Sequence, residues 1–225
     1  YISFHLNHLW ILYIKIYKNP KLYCNLLYKI NFFCDILLTQ ENKTMEYLDV
    51  VDENNNLTGQ VVDRNTAHKE LLYHRHVSCW IMDLKGRVLL QQRALIKSNN
   101  PGMWAKTGGH VDSGETPIEA VKREVFEEIG LKIDEKCLTE VAIYKSQRPT
   151  SAYFTYNYLL VQEIDIDKLV LQKEEVESVK LFEIEEVIED KKNNPQNYTF
   201  SKWRDEEFDA QMDLLKAARE KILKE

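Results

Sequence analysis

No run in this 225-residue chain approaches the roughly 20 consecutive apolar residues that span a bilayer, although Tyr, Phe, Leu and Ile crowd its first 44 positions. Lys15, Lys18, Lys21 and Lys29 interrupt that stretch, and no small-residue cleavage site follows it. Acids are scarce there as well, with only Asp35 and Glu41, and the first methionine is Met45. These absences mark residues 1–44 as a translated leader, poorly ordered or loosely packed, with a weak amphipathic anchor as the alternative. Residues 45–225 are then the folded domain, and no membrane partner is expected.

A basic excess is also missing. Beyond residue 44, 25 basic residues stand against 34 acidic ones, a formal charge of −9. Wrapping nucleic acid needs a basic footprint, so that partner is not expected either. A small anionic ligand stays admissible, because a bound cation and a few local charges can dominate one cleft. Cysteine is sparse: of four, Cys24 and Cys34 lie in the leader, while Cys79 and Cys137 sit in apolar contexts typical of buried thiols. That usage suits a reducing compartment, and the cytoplasm is the expected location. No internal repeat and no low-complexity linker divides the chain after Met45.

What the chain has is one strongly written helix. Thr116, Pro117, Ile118 and Glu119 form a Thr-x-x-Glu capping box with proline at the first helical position, and Gly130 supplies a stop, so a helix is predicted over Pro117–Ile129. Ile118, Val121, Val125 and Ile129 share one face and should bury it on a sheet. Glu124, Glu127 and Glu128 occupy the opposite side at spacings of three and four, where like charges repel by tenths of a kcal/mol per pair. A bound cation reverses that sign. Magnesium takes hard oxygen ligands and is commonly held by carboxylates together with substrate phosphates.

Around this helix the pattern is alternating α/β. Tyr47 to Val51 and the turn Asp52 to Asn56 predict an opening hairpin; Val77 to Met82 and Arg87 to Gln91 predict strands joined through Asp83–Gly86. Lys97 to Trp104 reads as a polar turn bordering the site. Strands are predicted over Val141 to Lys145, Phe154 to Gln162 and Glu175 to Phe182, and covering helices over Glu183 to Asn193 and Asp205 to Lys224.

The segment GHVDSGETPIEAVKREVFEEIGL, from Gly109 to Leu131, resembles the Nudix box: a glycine, five residues, Glu115, seven residues, then Arg123, Glu124 and the EE pair Glu127–Glu128 before Gly130. EYLDVVDENNNLTGQVVDR, HRHVSCWIMDLKGRVLLQQR and KSNNPGMWAKTGGHVDSGE further resemble the branch related to isopentenyl diphosphate isomerase, over about Glu46 to Leu131; the C-terminal third matches loosely. The resemblance implies a Nudix-type α/β/α sandwich with a mixed sheet and a hydrolase of a diphosphate linkage in a small nucleoside diphosphate derivative. It also implies magnesium, with manganese as substitute, and, as in many relatives, a homodimer.

By the same resemblance Glu124, Glu127 and Glu128 are the catalytic and metal-binding glutamates, the Gly109 carbonyl adds a metal ligand, and Glu115 with Arg123 fixes the loop to the helix. Arg93, Lys106 and Trp104 are candidates for substrate contact; Arg93 could equally be an exposed strand end, Lys106 a solvated charge and Trp104 a core residue. A general base comes from Glu124, or from Glu174, Glu175 or Glu177, which otherwise form a polar turn. His110 occupies a variable box position, and His68, His74 and His76 show no metal-site spacing. Isomerase chemistry, the competing activity, needs a cysteine between the tryptophan and the first box glutamate. Trp104 to Glu115 has none, and RPTSAYFTYNYLLV lacks the second acid of the isomerase pocket. A catalytically silent ligand-sensing module is the third reading, disfavoured because every box glutamate is present.

Overall fold

The computed structural model describes residues 45–202 and 205–224, and the leader reading for residues 1–44 lies outside them. Strand β1 (Tyr47–Val51) pairs antiparallel with β2 (Leu57–Asp63). The turn between them closes because the Asp52 carboxylate accepts the backbone N–H groups of Asn54 and Asn56. A short helix α1 (Arg64–Lys69) follows, capped by the Asp63 side chain, which accepts from Asn65 N and Thr66 N. The sequence pattern did not predict this helix; its six residues are too few to express a 3.6-residue apolar period.

The main sheet runs β5 (Trp104–Ala105), β4 (Val88–Arg93), β3 (Tyr73–Met82), β7 (Ser151–Val161), β6 (Leu138–Arg148), and β8 (Val176–Phe182) also pairs with β4. It is mixed, because β3 and β7 are parallel while β3–β4, β4–β8 and β6–β7 are antiparallel. Both β6 and β7 exceed their predicted lengths. Charged and polar residues on the exposed strand β6 hide its period, and pairing with β7, shifted by an irregularity between Glu140 and Ala142, holds it straight to Arg148.

Alternation along β3 assigns the two layers. Trp80 and Met82 face a core closed by Ile184 and Val187 of α3 (Ile184–Asn193) and by Phe208, Met212 and Leu215 of α4 (Asp205–Ile222). Val77, Cys79 and Ile81 face the other core, closed by Ala120, Val121, Val125 and Ile129 of α2 (Pro117–Ile129). Each fully buried Val or Ile of α2 contributes about 1.5–3 kcal/mol by leaving water. The result is helix, mixed sheet, helix, as the α/β/α reading requires. Among the described residues no helix is long and apolar enough to cross a membrane.

Helix α2 has the predicted bounds. Thr116 Oγ1 accepts from Glu119 N while the Glu119 carboxylate accepts from Thr116 N, and Gly130 ends the helix in the left-handed conformation at φ 69° with its N–H on Phe126 O. A side chain at that φ is strained, which makes glycine the fitting stop.

Candidate active site

The carboxylate face of α2 meets the loop that joins β5 to it. The loop is sewn to β3 by backbone bonds from Cys79 N to Thr107 O and from Val77 N to Gly109 O, both 2.8 Å. Glu124 then packs on Gly109 so closely that a Cβ there would lie 2.3 Å from Oε1. Glu128 is buried; its Oε2 accepts Gln91 Nε2 at 2.8 Å and Gly108 N at 3.2 Å. Gln91 is itself fixed by Thr107 Oγ1. Glu127 is the most exposed of the three, with 27% of its side chain accessible against 15% for Glu124. A graded set of this kind leaves an outward carboxylate edge anchored on an inward one.

Electrostatics agree. Burial, and then repulsion from its glutamate neighbour, holds Glu128 well above the ordinary carboxylate range. Burial does the same to Glu124, against the opposing pull of Arg123. Carboxylates crowded to the point of resisting ionisation fit a hard divalent cation, which would return both to the charged form.

Arg123 is the counterweight. Its guanidinium donates from Nε and Nη2 to Glu115 at 3.0 and 2.9 Å, from Nη1 to Glu124 at 2.8 Å and to Glu127 at 3.3 Å, and from Nη2 to His110 O at 3.0 Å. Desolvation disfavours this cation, but hydrogen bonds and charge from Glu115 and Glu124 outweigh it and raise its pKa. The Glu115–Arg123 pair thus ties loop to helix and also orients two of the three carboxylates.

Of Glu174, Glu175 and Glu177, only Glu175 is partly buried, and its charge acts on Glu128. It forms an ion pair with Lys97 from the β4–β5 loop. The other two are exposed. One sequence stretch held three equivalent glutamates; the pairing of β8 with β4, which seats Ala94 N on Glu175 O, selects one.

The three substrate candidates have separate settings. Arg93 donates from Nε to Asn99 O at 3.1 Å and braces the β4–β5 loop. Trp104 packs edge-on to Phe182, ring centroids 5.0 Å apart, against the α3–α4 core. Lys106 is not a solvated lysine: Nζ donates to Asn157 Oδ1 at 2.8 Å and lies 5.2 Å from the Trp80 ring, and desolvation lowers its pKa to about 7. Cys79 is the buried thiol expected, its pKa pushed up to about 12 by burial.

Two features escaped the sequence pattern. Gln91 looked like any strand-end polar residue, yet it holds Glu128. His68, His74 and His110, unrelated by spacing, converge through the fold with one ring nitrogen of each within 4.8 Å of the others.

A family profile described as "NUDIX domain" matches residues 72–204. The chain is 31% identical over 151 residues to "Nudix hydrolase 3" of Arabidopsis thaliana, an alignment covering 63% of this chain and 20% of that protein. It is 36% identical over 118 residues to an isopentenyl-diphosphate Delta-isomerase of Streptomyces coelicolor, covering 51% and 59%. The chain therefore spans a fifth of the first relative and under two thirds of the second. A crystal structure from Deinococcus radiodurans shares the fold, with a TM-score of 0.52 at 23% identity over 66% of this chain and 90% of that one.

Proposed function

The chain belongs to the NUDIX domain family, and from that membership we propose that it is a magnesium-dependent hydrolase of a diphosphate linkage in a nucleoside diphosphate derivative, with manganese able to substitute. The observation that carries the reading is a glutamate cluster on one helix set against a glycine loop, with Glu124 packed on Gly109, Glu128 bonded to Gly108 N and Glu127 beside them on Arg123, the first two held against ionisation until a cation joins them.

In this reading Glu124, Glu127, Glu128 and the Gly109 carbonyl hold the metal. Magnesium, when bound, would supply neutralisation of phosphate charge and a water of lowered pKa. The chain's own residues do the rest. Arg123 keeps Glu124 and Glu127 turned toward one patch, and Gln91 with Gly108 N keeps Glu128 there. Glu175 is the carboxylate we assign to proton removal, since Glu124 is already assigned to the metal and Glu175 is the half-buried member of its trio, with its charge acting on Glu128. The water oxygen forms a bond to phosphorus, the bridging P–O bond breaks, and the departing phosphate oxygen takes up the proton. Lys106 is assigned to the anionic substrate, whose charge would favour the protonated form of an amine that desolvation holds near 7. Residues 45–225 are assigned as the hydrolase domain.

The test is product formation from nucleoside di- and triphosphates, nucleotide sugars, dinucleotides and isopentenyl diphosphate, with magnesium or with chelator. Cleavage of a diphosphate that stops with chelator supports the reading. Isomerisation of isopentenyl diphosphate without phosphate release would replace it with the activity named for the Streptomyces relative.

A further inference from the structure

Resting on the hydrolase reading above, we propose that Ser78, Lys106, Asn157 and Gln211 form the site that selects the substrate. It takes a second anionic group, of the carboxylate or phosphate class, carried beyond the cleaved diphosphate.

The loop between β5 and α2 is extended along β3, with Cys79 N on Thr107 O and Val77 N on Gly109 O, so successive side chains leave it on opposite faces. Thr107 turns to Gln91 and through it to Glu128, on the α2 side. Lys106 turns to the α4 side, where Nζ lies 5.2 Å from the Trp80 ring and donates to Asn157 Oδ1 at 2.8 Å and to Gln211 Oε1 at 3.4 Å. Asn157 belongs to β7, which pairs with the other edge of β3, so the lysine side chain crosses β3 to reach it. A phosphate seated on the glutamates and a group meeting this amine thus lie on two faces of the sheet and belong to two parts of one ligand.

Along the α4 face the core changes character. Trp80, Met82 and Leu159 lie in the apolar layer under α3 and α4. Two residues earlier on each strand, Ser78 stands beside Asn157 in the parallel register, the pair being 7% and 3% exposed. On α4, Gln211 shares the buried face with Phe208, Met212 and Leu215, and its Oε1 accepts both Trp80 Nε1 and Lys106 Nζ. Asn157 Nδ2 donates to Thr155 O at 3.1 Å, which turns Oδ1 to the amine. For stability alone, apolar residues of the same volume would serve as well. A carboxamide from each of two elements instead fixes one amine in place. Lys106 and Thr155 keep part of their surface accessible, so the cluster is open to a ligand.

The charge-bearing member of the cluster is an amine, and hydrogen bonds between ionised partners are about twice as strong as neutral ones. The desolvation that holds this amine near 7 is offset when an anion enters beside it. A hydrocarbon chain in the same place would strip water from the amine, the Ser78 hydroxyl and the two carboxamides without returning a bond. The site therefore favours a ligand with an anion at each end over isopentenyl diphosphate.

The test gives the full chain, with magnesium, substrates in matched pairs that differ by one distal anionic group: uridine diphosphate glucuronic acid with uridine diphosphate glucose, NADP with NAD, and coenzyme A with its dephosphorylated form. In at least one pair kcat/KM should favour the anionic member by about tenfold or more. Lys106→Met keeps most of the side chain without its charge and should bring that ratio near one. Gln211→Glu keeps the volume, puts a carboxylate beside the amine and should remove or invert the preference, a change that a merely structural role would not produce. Circular dichroism checks that both variants fold. Where no pair turns over, calorimetric binding of the same pairs reads the site alone: a binding preference that both variants lose keeps the site while the hydrolase reading fails. Hydrolysis or binding without preference in any pair, or a preference that both variants retain, overturns the proposal.

Discussion

Gly109 and Glu124 are packed so that a Cβ on the glycine would fall 2.3 Å from Oε1 and 2.4 Å from the carboxyl carbon. The glycine is therefore a seat for a carboxylate. Gly109→Ala should push Glu124 off its position and lower kcat/KM by about a hundredfold, as displacements near 1 Å do at reacting centres, at little cost to stability, because the new Cβ meets only the far end of a flexible side chain. Steady-state kinetics with magnesium and a thermal melt check both, and near-native turnover would show that Glu124 is not needed where it stands.

Glu128 links stability to pH. Its folded-state pKa is raised, by burial first and by Glu124 second, so its contribution to stability is present in full below the unfolded value of 4.5 and is lost as pH rises through the folded one. Metal-free protein should lose stability over that rise. Glu128→Gln should flatten the dependence, because an amide oxygen can still accept both Gln91 Nε2 and Gly108 N, and the variant should melt higher than the parent in chelator while losing turnover. Denaturation at several pH values with and without magnesium reads this directly.

Arg123 should matter more to stability than its partner. Removing it strands Glu115, Glu124 and Glu127 together, and Arg123→Ala should cost about 3–5 kcal/mol. Glu115→Gln keeps the volume and leaves Glu124 and Glu127 on the guanidinium, so its cost should be smaller. Urea titrations of the two variants give the comparison, and equal costs would mean that Glu115 carries the whole interaction.

Glu175→Gln should reduce kcat with little change in KM, whereas Glu174→Gln and Glu177→Gln, both exposed, should behave like the parent. A loss on any other member of the trio would move the base elsewhere.

How much of this could be read in the chain depends on the range of the interactions. Helix α2 was legible to the residue, because Thr116, Glu119, Gly130 and the Val121–Val125–Ile129 stripe are local signals that agree. The glutamate cluster was legible for the same reason, since all three members ride on that helix. Glu175 was not separable from Glu174 and Glu177, because β8 pairing with β4 decides which one turns inward. Gln91 and the histidines were opaque: their partners are 37 or 42 positions away, or across a strand, and no periodicity encodes that. For Lys106 the sequence left substrate contact and a solvated charge side by side, and only the fold brings Trp80 and Asn157 around it.

The most direct test of the central claim is hydrolysis in heavy-oxygen water by the parent and by Glu127→Gln, with product masses followed as magnesium is titrated. The account predicts a single heavy oxygen in one phosphate-bearing product of the parent, formed only with the metal, and a loss of about a hundredfold or more in the variant. Equal labelling by Glu127→Gln, or unlabelled isomerisation of isopentenyl diphosphate by the parent, would contradict it.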